Sequence, residues 1–337
     1  MNNRCGKQVL ISAGVMLLLG LVAIVSTTYA WLGVSRVPFV SDMDVSVITE
    51  SALLIAPDVD GAPGEWGNVL DASAFLTDMV PLKPVTYTPD AFCKVVYDDT
   101  GRTNGVVPLS EENFNVRYPA DASSAARAAA EEAGYMLAMP FWMKCDGAFA
   151  SVFLSDAVET ADGQMGAGTY VVGAPKWDST TISHQNGGHG SETTLRLGFA
   201  CTPTDMQGRV TGETRFVMYE PNADIHYDGS ADYWTTESVN GGSLIDDAHL
   251  ILQNASSWKE QDPVLEGTVI YEAGKFLQDT TLFELDGTGM MQVTLYIWME
   301  GQDRDCIAAA VADEVSVAAN IQFGVKAEVK ETGIGRR

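Results

Sequence analysis

Residues 291–298 read MQVTLYIW, and this stretch decides the fold class. Apolar Met291, Val293, Leu295 and Ile297 occupy every second position, with Gln, Thr, Tyr and Trp between them. A period of two residues is that of a β-strand whose two faces meet different surroundings. β-Branched and aromatic side chains, which favour extended backbone, fill most of the stretch. We therefore expect a strand here.

Strand candidates of this kind recur along the chain, separated by turn clusters such as residues 99–101, 186–188 and 240–242. Many short strands with glycine-rich turns are typical of a β-sandwich or a barrel. The composition agrees, because 46% of the residues are hydrophobic and 32 are glycines. The other candidates are residues 43–47, 93–97, 135–143, 150–154, 169–172, 194–201, 215–219, 250–253, 268–271 and 315–325.

A helix is predicted at residues 121–134. It begins at Asp121, a capping residue, continues through an alanine-rich run and ends at Gly134. The run has no broad face of large apolar residues that could be buried in a core. We therefore expect a short surface helix, inserted into a mainly β fold.

The N-terminal segment predicts export. Residues 9–25 contain no charge and no proline, and a helix over residues 9–30 is roughly 33 Å long, enough to cross a bilayer. Arg4 and Lys7 precede it, which places the rest of the chain outside by the positive-inside rule. Two interpretations stay open: a signal peptide cut between Ala30 and Trp31, which we favour, or a retained membrane anchor with an aromatic belt.

The charge balance excludes some partners. The chain has 45 acidic and 20 basic residues, and its net charge is −25. All the acidic residues lie after position 30, so the outer region repels nucleic acid and anionic lipid headgroups. The surface could attract divalent cations, but solubility is the favoured explanation of its charge.

Two acidic loops are calcium candidates. The first contains Asp58, Asp60 and Glu65 on or near a tight turn. The second contains Asp224, Asp228 and Asp232 around His226. Calcium takes six to eight oxygen ligands, and neither loop has the spacing of an EF-hand. Solvated turns are the favoured interpretation, and no other cofactor is expected.

Four cysteines belong to the outer region: Cys93, Cys145, Cys201 and Cys306. They allow three disulfide pairings, and the sequence does not choose among them. Because all four lie on or near predicted strands, buried free thiols are equally acceptable. Their wide spacing excludes the close cysteine pairs of a zinc ribbon.

Catalytic motifs are absent from the sequence. There is no nucleophile elbow, no P-loop and no dinucleotide fingerprint. His184 and His189 are five residues apart across glycines, without the helix, the spacing or the glutamate of a zinc protease. We expect a protein that is not an enzyme.

Two short stretches resemble a known group of exported proteins. Thr28-Tyr29-Ala30-Trp31, after an apolar run, resembles the signal of the TasA and camelysin surface proteins of Gram-positive bacteria, which a SipW-type peptidase cleaves. Residues 295–306 are similar to a W-x-E-G-x-D-x-x-C element of uncharacterised exported proteins. The resemblance implies a jelly-roll-like β-sandwich, a surface location and fibre assembly. Camelysin is described as a metal-dependent protease, but the spacing of the histidines in this chain argues against the same activity here.

Within the W-x-E-G element, strand alternation predicts that Trp298 and Glu300 share one face and Met299 lies on the other. Glu300 and Gly301 are then expected to open a turn, where glycine tolerates a positive φ. This is the pattern of a structural corner.

The sequence thus divides into a signal or anchor (1–30), an extended linker (31–41), a β-sandwich domain (42–330) and a polar tail (331–337). A pair of sandwiches is the alternative for the third part. The expected function is an exported structural or interaction protein of the cell surface or biofilm matrix, self-assembling by strand addition through residues 31–47. The alternatives are a membrane-anchored ligand- or carbohydrate-binding module and a camelysin-like hydrolase.

Overall fold

The computed structural model describes residues 42–49, 53–87, 91–97, 103–120, 123–145, 150–156, 158–159, 165–173, 194–219, 268–270, 281–301 and 316–327. Several predictions concern residues outside these ranges. They are the signal segment with its cleavage position Ala30–Trp31, the linker, the tail, the strand at 250–253, the three turn clusters, the loop of Asp224, Asp228 and Asp232, the histidines and Cys306. None of the helices formed by the described residues has the length and apolar character needed to cross a membrane.

The described chain is mainly β, as predicted. Two α-helices interrupt the strands, α1 (Ser73–Leu76) and α2 (Ser124–Ala133), together with a 3-10 turn at Glu111–Asn113. The strands in chain order are β1 (Asp42–Thr49), β2 (Leu53–Val59), β3 (Ala62–Pro63), β4 (Val69–Leu70), β5 (Pro84–Tyr87), β6 (Phe92–Tyr97), β7 (Thr103–Pro108), β8 (Leu137–Cys145), β9 (Ala150–Leu154), β10 (Val158–Glu159), β11 (Met165–Ala167), β12 (Tyr170–Gly173), β13 (Leu195–Asp205), β14 (Arg215–Tyr219), β15 (Thr268–Ile270), β16 (Phe283–Leu285), β17 (Gly289–Glu300) and β18 (Ser316–Ala327).

These strands form two mixed sheets and a separate β10–β11 ladder. The small sheet has six strands in the order β16-β9-β18-β1-β4, with β12 also paired to β18. The large sheet has ten strands and runs β15-β14-β13-β17-β5-β6-β7, while β8 pairs with β17 and β2 links β8 to β3. Parallel pairs occur in both sheets, between β1 and β18 and between β17 and β5.

Strand β17 organises the large sheet and contains the predicted 291–298 stretch. It pairs antiparallel with β13 along one side and with β8 along the other. Its alternation is observed, because Met291, Val293, Leu295 and Ile297 belong to the main core cluster. The strand begins earlier than predicted, at Gly289, where a Cβ atom would lie 2.6 Å from the Thr204 carbonyl oxygen. Glycine at position 289 permits the backbone of β13 to approach β17 closely.

The two sheets share one hydrophobic core. Phe323 of β18 in the small sheet packs against Phe141 of β8 and Phe199 of β13 in the large sheet, with ring centroids 6.0 and 5.9 Å apart. Val45 and Val47 of β1 belong to the same buried cluster. The main core therefore lies between the two sheets.

A second cluster buries the other face of the large sheet. Phe92 and Trp298 pack edge to face at 5.2 Å, and Tyr87 stacks on Phe216 at 4.5 Å. Because the sheet is covered on both faces here, its strands need not alternate between apolar and polar residues. The β8 sequence LAMPFWMKC, with seven buried positions of nine, is the clearest example.

Helix α2 confirms the predicted surface helix but begins at a different residue. Its N-cap is Ser123, whose side chain accepts a 3.2 Å hydrogen bond from the Ala126 amide, whereas the prediction began at Asp121. Ala130 is its buried residue. Gly134 ends the helix as predicted, but its backbone is extended and not left-handed. Glycine is required there because a Cβ atom would overlap the Val80 side chain.

Candidate functional site

The most informative feature for function is the pairing of β1 with β18, which we call the β1–β18 seam. The two strands run parallel in unbroken register from Asp42 opposite Ser316 to Thr49 opposite Phe323. The predicted strands at 43–47 and 315–325 are both confirmed, and each is longer than predicted. The first described strand of the chain is thus bonded to the last.

The seam is held by core side chains. Val45 and Val47 are 5% and 0% exposed, and both belong to the main core cluster with Ala319 and Ile321, which lie opposite them on β18. Full burial of one such side chain stabilises a fold by about 1.5–3 kcal/mol. Without β1, the small sheet would expose an apolar groove beside β18.

The other edge of β1 is only partly covered. Strand β4 pairs with Val47 and Ile48, and within the described chain Asp42–Ser46 pair with β18 alone. At the C-terminal end of β1, the Thr49 amide donates to the Asn68 carbonyl at 2.8 Å. The Thr49 hydroxyl donates to the Leu53 carbonyl at 2.8 Å. The strand is therefore fixed at its C-terminal end and along one side.

Strand β18 keeps other partners that do not involve β1. It pairs antiparallel with β9 and β12. Its Gln322 side chain accepts from the Gly168 amide at 2.8 Å, and Asn320 donates to the Gly168 carbonyl at 2.5 Å. Strand β18 is thus held in the small sheet by contacts that do not depend on β1.

The first calcium candidate is a β-hairpin turn. Asp60 and Gly61 have φ values of 52° and 82° and connect β2 to β3, as in a type I′ turn. Asp58 Oδ1 accepts from the Gly61 amide at 2.8 Å, and Oδ2 accepts from Trp142 Nε1 at 2.7 Å and from Gln292 Nε2 at 3.3 Å. Both oxygens of Asp58 thus have protein donors.

Asp60 and Glu65 are exposed near this turn. Among the described residues, no group of three or more His, Cys, Asp or Glu side chains is placed to hold a metal ion. The structure therefore does not bring Asp58, Asp60 and Glu65 together as ligands. The observed role of Asp58 is to join the hairpin to the outer face of the large sheet.

Three of the four cysteines after residue 30 lie in described strands, and all three are buried. No disulfide joins Cys93, Cys145 and Cys201 to one another, so the pairings among these three are not formed. Cys201 is a free thiol. Burial raises the pKa of Cys201 to about 12, although the Arg215 guanidinium opposes part of that rise. The thiol is therefore neutral at physiological pH and a poor nucleophile.

At the W-x-E-G element, β17 ends at Glu300 and Gly301 lies in a turn, while residues 302–306 lie outside the described ranges. Trp298 and Glu300 are both fully buried on one face of β17, where Trp298 Nε1 donates to Glu300 Oε2 at 3.2 Å. Met299 faces the main core, as expected from alternation. The φ of Gly301 lies outside the positive region that glycine tolerates. Glycine is needed because a Cβ atom would lie 2.9 Å from the Cβ of Pro84.

Comparison of the chain with protein-family models, with curated proteins and with solved structures finds no match. The class that the fold defines is a mainly β protein of two mixed sheets on a shared core.

Proposed function

We propose that this chain is an exported structural protein of the cell surface or extracellular matrix, whose subunits join by strand addition. In this proposal the fold is a jelly-roll-like sandwich, and β1 of one subunit completes the small sheet of the next. The β1–β18 seam is the observation that carries the proposal. In the proposal β1 is the donor strand and the edge of β18 is the acceptor, and the parallel pairing of these two strands supports it.

Exchange between subunits preserves the interactions of the seam. A β1 strand from a second copy would make the same ladder with β18 and bury the same Val45 and Val47 side chains. Domain swapping of this kind is a low-cost route to assembly, because the exchanged element makes the same contacts in the partner subunit.

A subunit whose small sheet is completed by its own β1 competes with one completed by the β1 of another copy. An internal β1 has a high effective concentration beside its own β18, so exchange is favoured when the protein is concentrated. An empty groove is the least stable alternative, since it leaves the apolar side chains of β18 in water. Assembly is therefore expected to depend on protein concentration.

The proposal includes the route and place of the protein. Residues 9–30 direct it through the membrane, cleavage between Ala30 and Trp31 frees the segment before β1, and the domain lies outside the cell. Partners are further copies of the chain or another surface protein. No catalytic step is assigned. A tethered ligand-binding module is the second candidate function, and a pocket lined by residues of β13, β14 and β16 favours it.

Single cysteines placed across the seam test the proposal. Asp44 lies opposite Ala318, and directly paired strand residues are close enough for a disulfide. Mature protein (31–337) carrying Asp44→Cys is mixed at high concentration with protein carrying Ala318→Cys and oxidised. Strand addition gives a covalent dimer that contains one copy of each variant, with a 44–318 cross-link found by mass spectrometry.

The control is a mixture of Asp44→Cys with Gln322→Cys, because Gln322 pairs with Ile48 and is out of register with position 44. This mixture should give little dimer. If the Asp44→Cys/Ala318→Cys double variant forms only an internal disulfide, and mixed single variants give no dimer at any concentration, the seam is intramolecular and the proposal fails.

A further inference from the structure

A pocket of about 580 Å³ lies where β13 and β14 of the large sheet meet β16 of the small sheet. Its volume falls within the range of small-molecule sites, roughly 300–1,000 Å³. Strand β16 and strand β1 are separated by β9 and β18 in the small sheet, so the pocket and the seam are distinct. Buried Phe283, Met291 and Cys201 supply its apolar lining.

Arg215 is the cation of this pocket. It lies opposite Cys201 in the register of β13 and β14, and strand alternation places it on the side of Val217 and Tyr219, which face the main core. The side chain is half-buried. Among the described residues, no hydrogen bond or ion pair occupies its guanidinium. A core-facing arginine whose guanidinium has no partner among the residues that the structure describes points to an anionic ligand group.

Two carboxylates line the same pocket from different sheets. Glu213 precedes β14, and Glu284 lies on β16. Both are exposed, and within the described chain neither forms an ion pair with Arg215. One pocket thus presents a positive group and two negative groups that do not neutralise one another by direct contact.

We propose that this pocket binds a small zwitterion of amino-acid or dipeptide size. The ligand carboxylate pairs with the Arg215 guanidinium, and the ligand ammonium lies between Glu213 and Glu284. An apolar ligand side chain packs on Phe283 and Met291. The neutral Cys201 thiol, beside Arg215 in the lining, does not compete for the guanidinium.

The net charge of the protein also favours a zwitterion over a simple anion as the ligand. At a net charge of −25, the surface repels simple anions, so a carboxylate without an ammonium group approaches at a disadvantage. A simple cation would meet the two glutamates but also Arg215. Only a ligand that carries both charges satisfies all three side chains.

The test is binding of the twenty common L-amino acids and L-alanyl-L-alanine to the mature protein, by ligand-observed NMR and calorimetry. At least one should bind. Its amide, which lacks the carboxylate, and its deaminated analogue, which lacks the ammonium, should each bind at least tenfold more weakly. If none of the probes binds at millimolar concentration, the inference is overturned.

Substitutions of the charged residues that line the pocket test each proposed contact with the ligand. Arg215→Gln should weaken binding at least tenfold, Arg215→Lys less, and Glu213→Gln with Glu284→Gln several-fold. Arg209→Gln is the matched control, because Arg209 pairs with Asp205 outside the pocket and its loss should leave binding unchanged. Unaltered thermal melting shows that each variant is folded. Wild-type affinity in Arg215→Gln, or calcium binding that needs both glutamates, would overturn the zwitterion site.

Discussion

Trp142 and Asp58 are joined by a 2.7 Å hydrogen bond from the indole Nε1 to the carboxylate Oδ2, although 84 residues separate them in the chain. The indole is almost fully buried, and the same carboxylate oxygen also accepts from Gln292. The bond therefore ties the β2–β3 hairpin to the centre of the large sheet.

Replacing Asp58 should destabilise the fold. Asp58→Ala leaves the buried Trp142 donor and the Gly61 amide without their acceptor, so we expect the free energy of unfolding to fall by about 2–3 kcal/mol. Asp58→Asn keeps an acceptor and should lose less. Denaturant unfolding measures both changes. Glu65→Ala, at an exposed position nearby, is the control and should change stability by less than about 0.5 kcal/mol.

Substitution at Gly134 should be far more disruptive than at an open glycine. A Cβ atom at position 134 would overlap the Val80 side chain, so Gly134→Ala should destabilise by about 1–3 kcal/mol. Gly67→Ala is the matched control, because its nearest neighbours lie 3.8 Å or more away. A Gly134→Ala/Val80→Ala double variant should recover part of the loss if the overlap is its cause.

The start of α2 can be tested by removing its cap. Ser123→Ala should lower the unfolding free energy by about 1 kcal/mol, since the Ala126 amide loses its acceptor. Asp121→Ala, at the start predicted from sequence, should have a smaller effect. An equal loss in both variants would place the helix start nearer residue 121.

Stability should fall in alkaline solution, in part through Cys201. Its folded pKa of about 12 lies above the ordinary thiol value of 9.0. The stabilisation from the neutral buried thiol is therefore complete below pH 9 and is lost as the pH rises towards 12. Burial also raises the pKa of Tyr296 and Tyr118, which act in the same direction at higher pH.

Cys201→Ala should reduce the dependence of stability on pH. Unfolding free energies measured at pH 7 and pH 10.5 should differ less in the variant than in the wild type. The variant should also be less stable at pH 7, because removal of the buried sulfur leaves a small cavity. An unchanged difference between the two pH values would show that the thiol does not contribute.

Regular alternation made part of the fold predictable. Strands β1, β14 and β17 alternate between core and opposite face, and each was predicted from that period. β8 was also located, although both faces of the large sheet are covered there and its apolar residues are nearly continuous.

Strands β2, β5 and β7 were not predicted, since Pro57, Pro84, Gly105 and Pro108 interrupt their patterns. Their extended conformation depends on partners supplied by distant segments, such as Gly301, whose amide donates to the Val85 carbonyl. The conformational preferences of the local sequence do not specify which distant segment a strand will pair with.

The sites were less predictable for the same reason. The sequence shows Asp58 as an acidic loop residue, but its role depends on Trp142 and Gln292, which are distant in sequence. The sequence predicts Arg215 to lie in a strand, yet its position in a pocket follows only from the meeting of β14 with β16. Such arrangements are set by topology.

The β1–β18 seam also has a consequence for the order of folding. β1 reaches the ribosomal exit long before β18 has been synthesised, so its edge stays unpaired while the intervening chain emerges. Closing so long a loop is entropically unfavourable, and such non-local pairing slows folding. We therefore expect the small sheet to be completed after the large one, with the apolar side chains of β1 exposed to water until then.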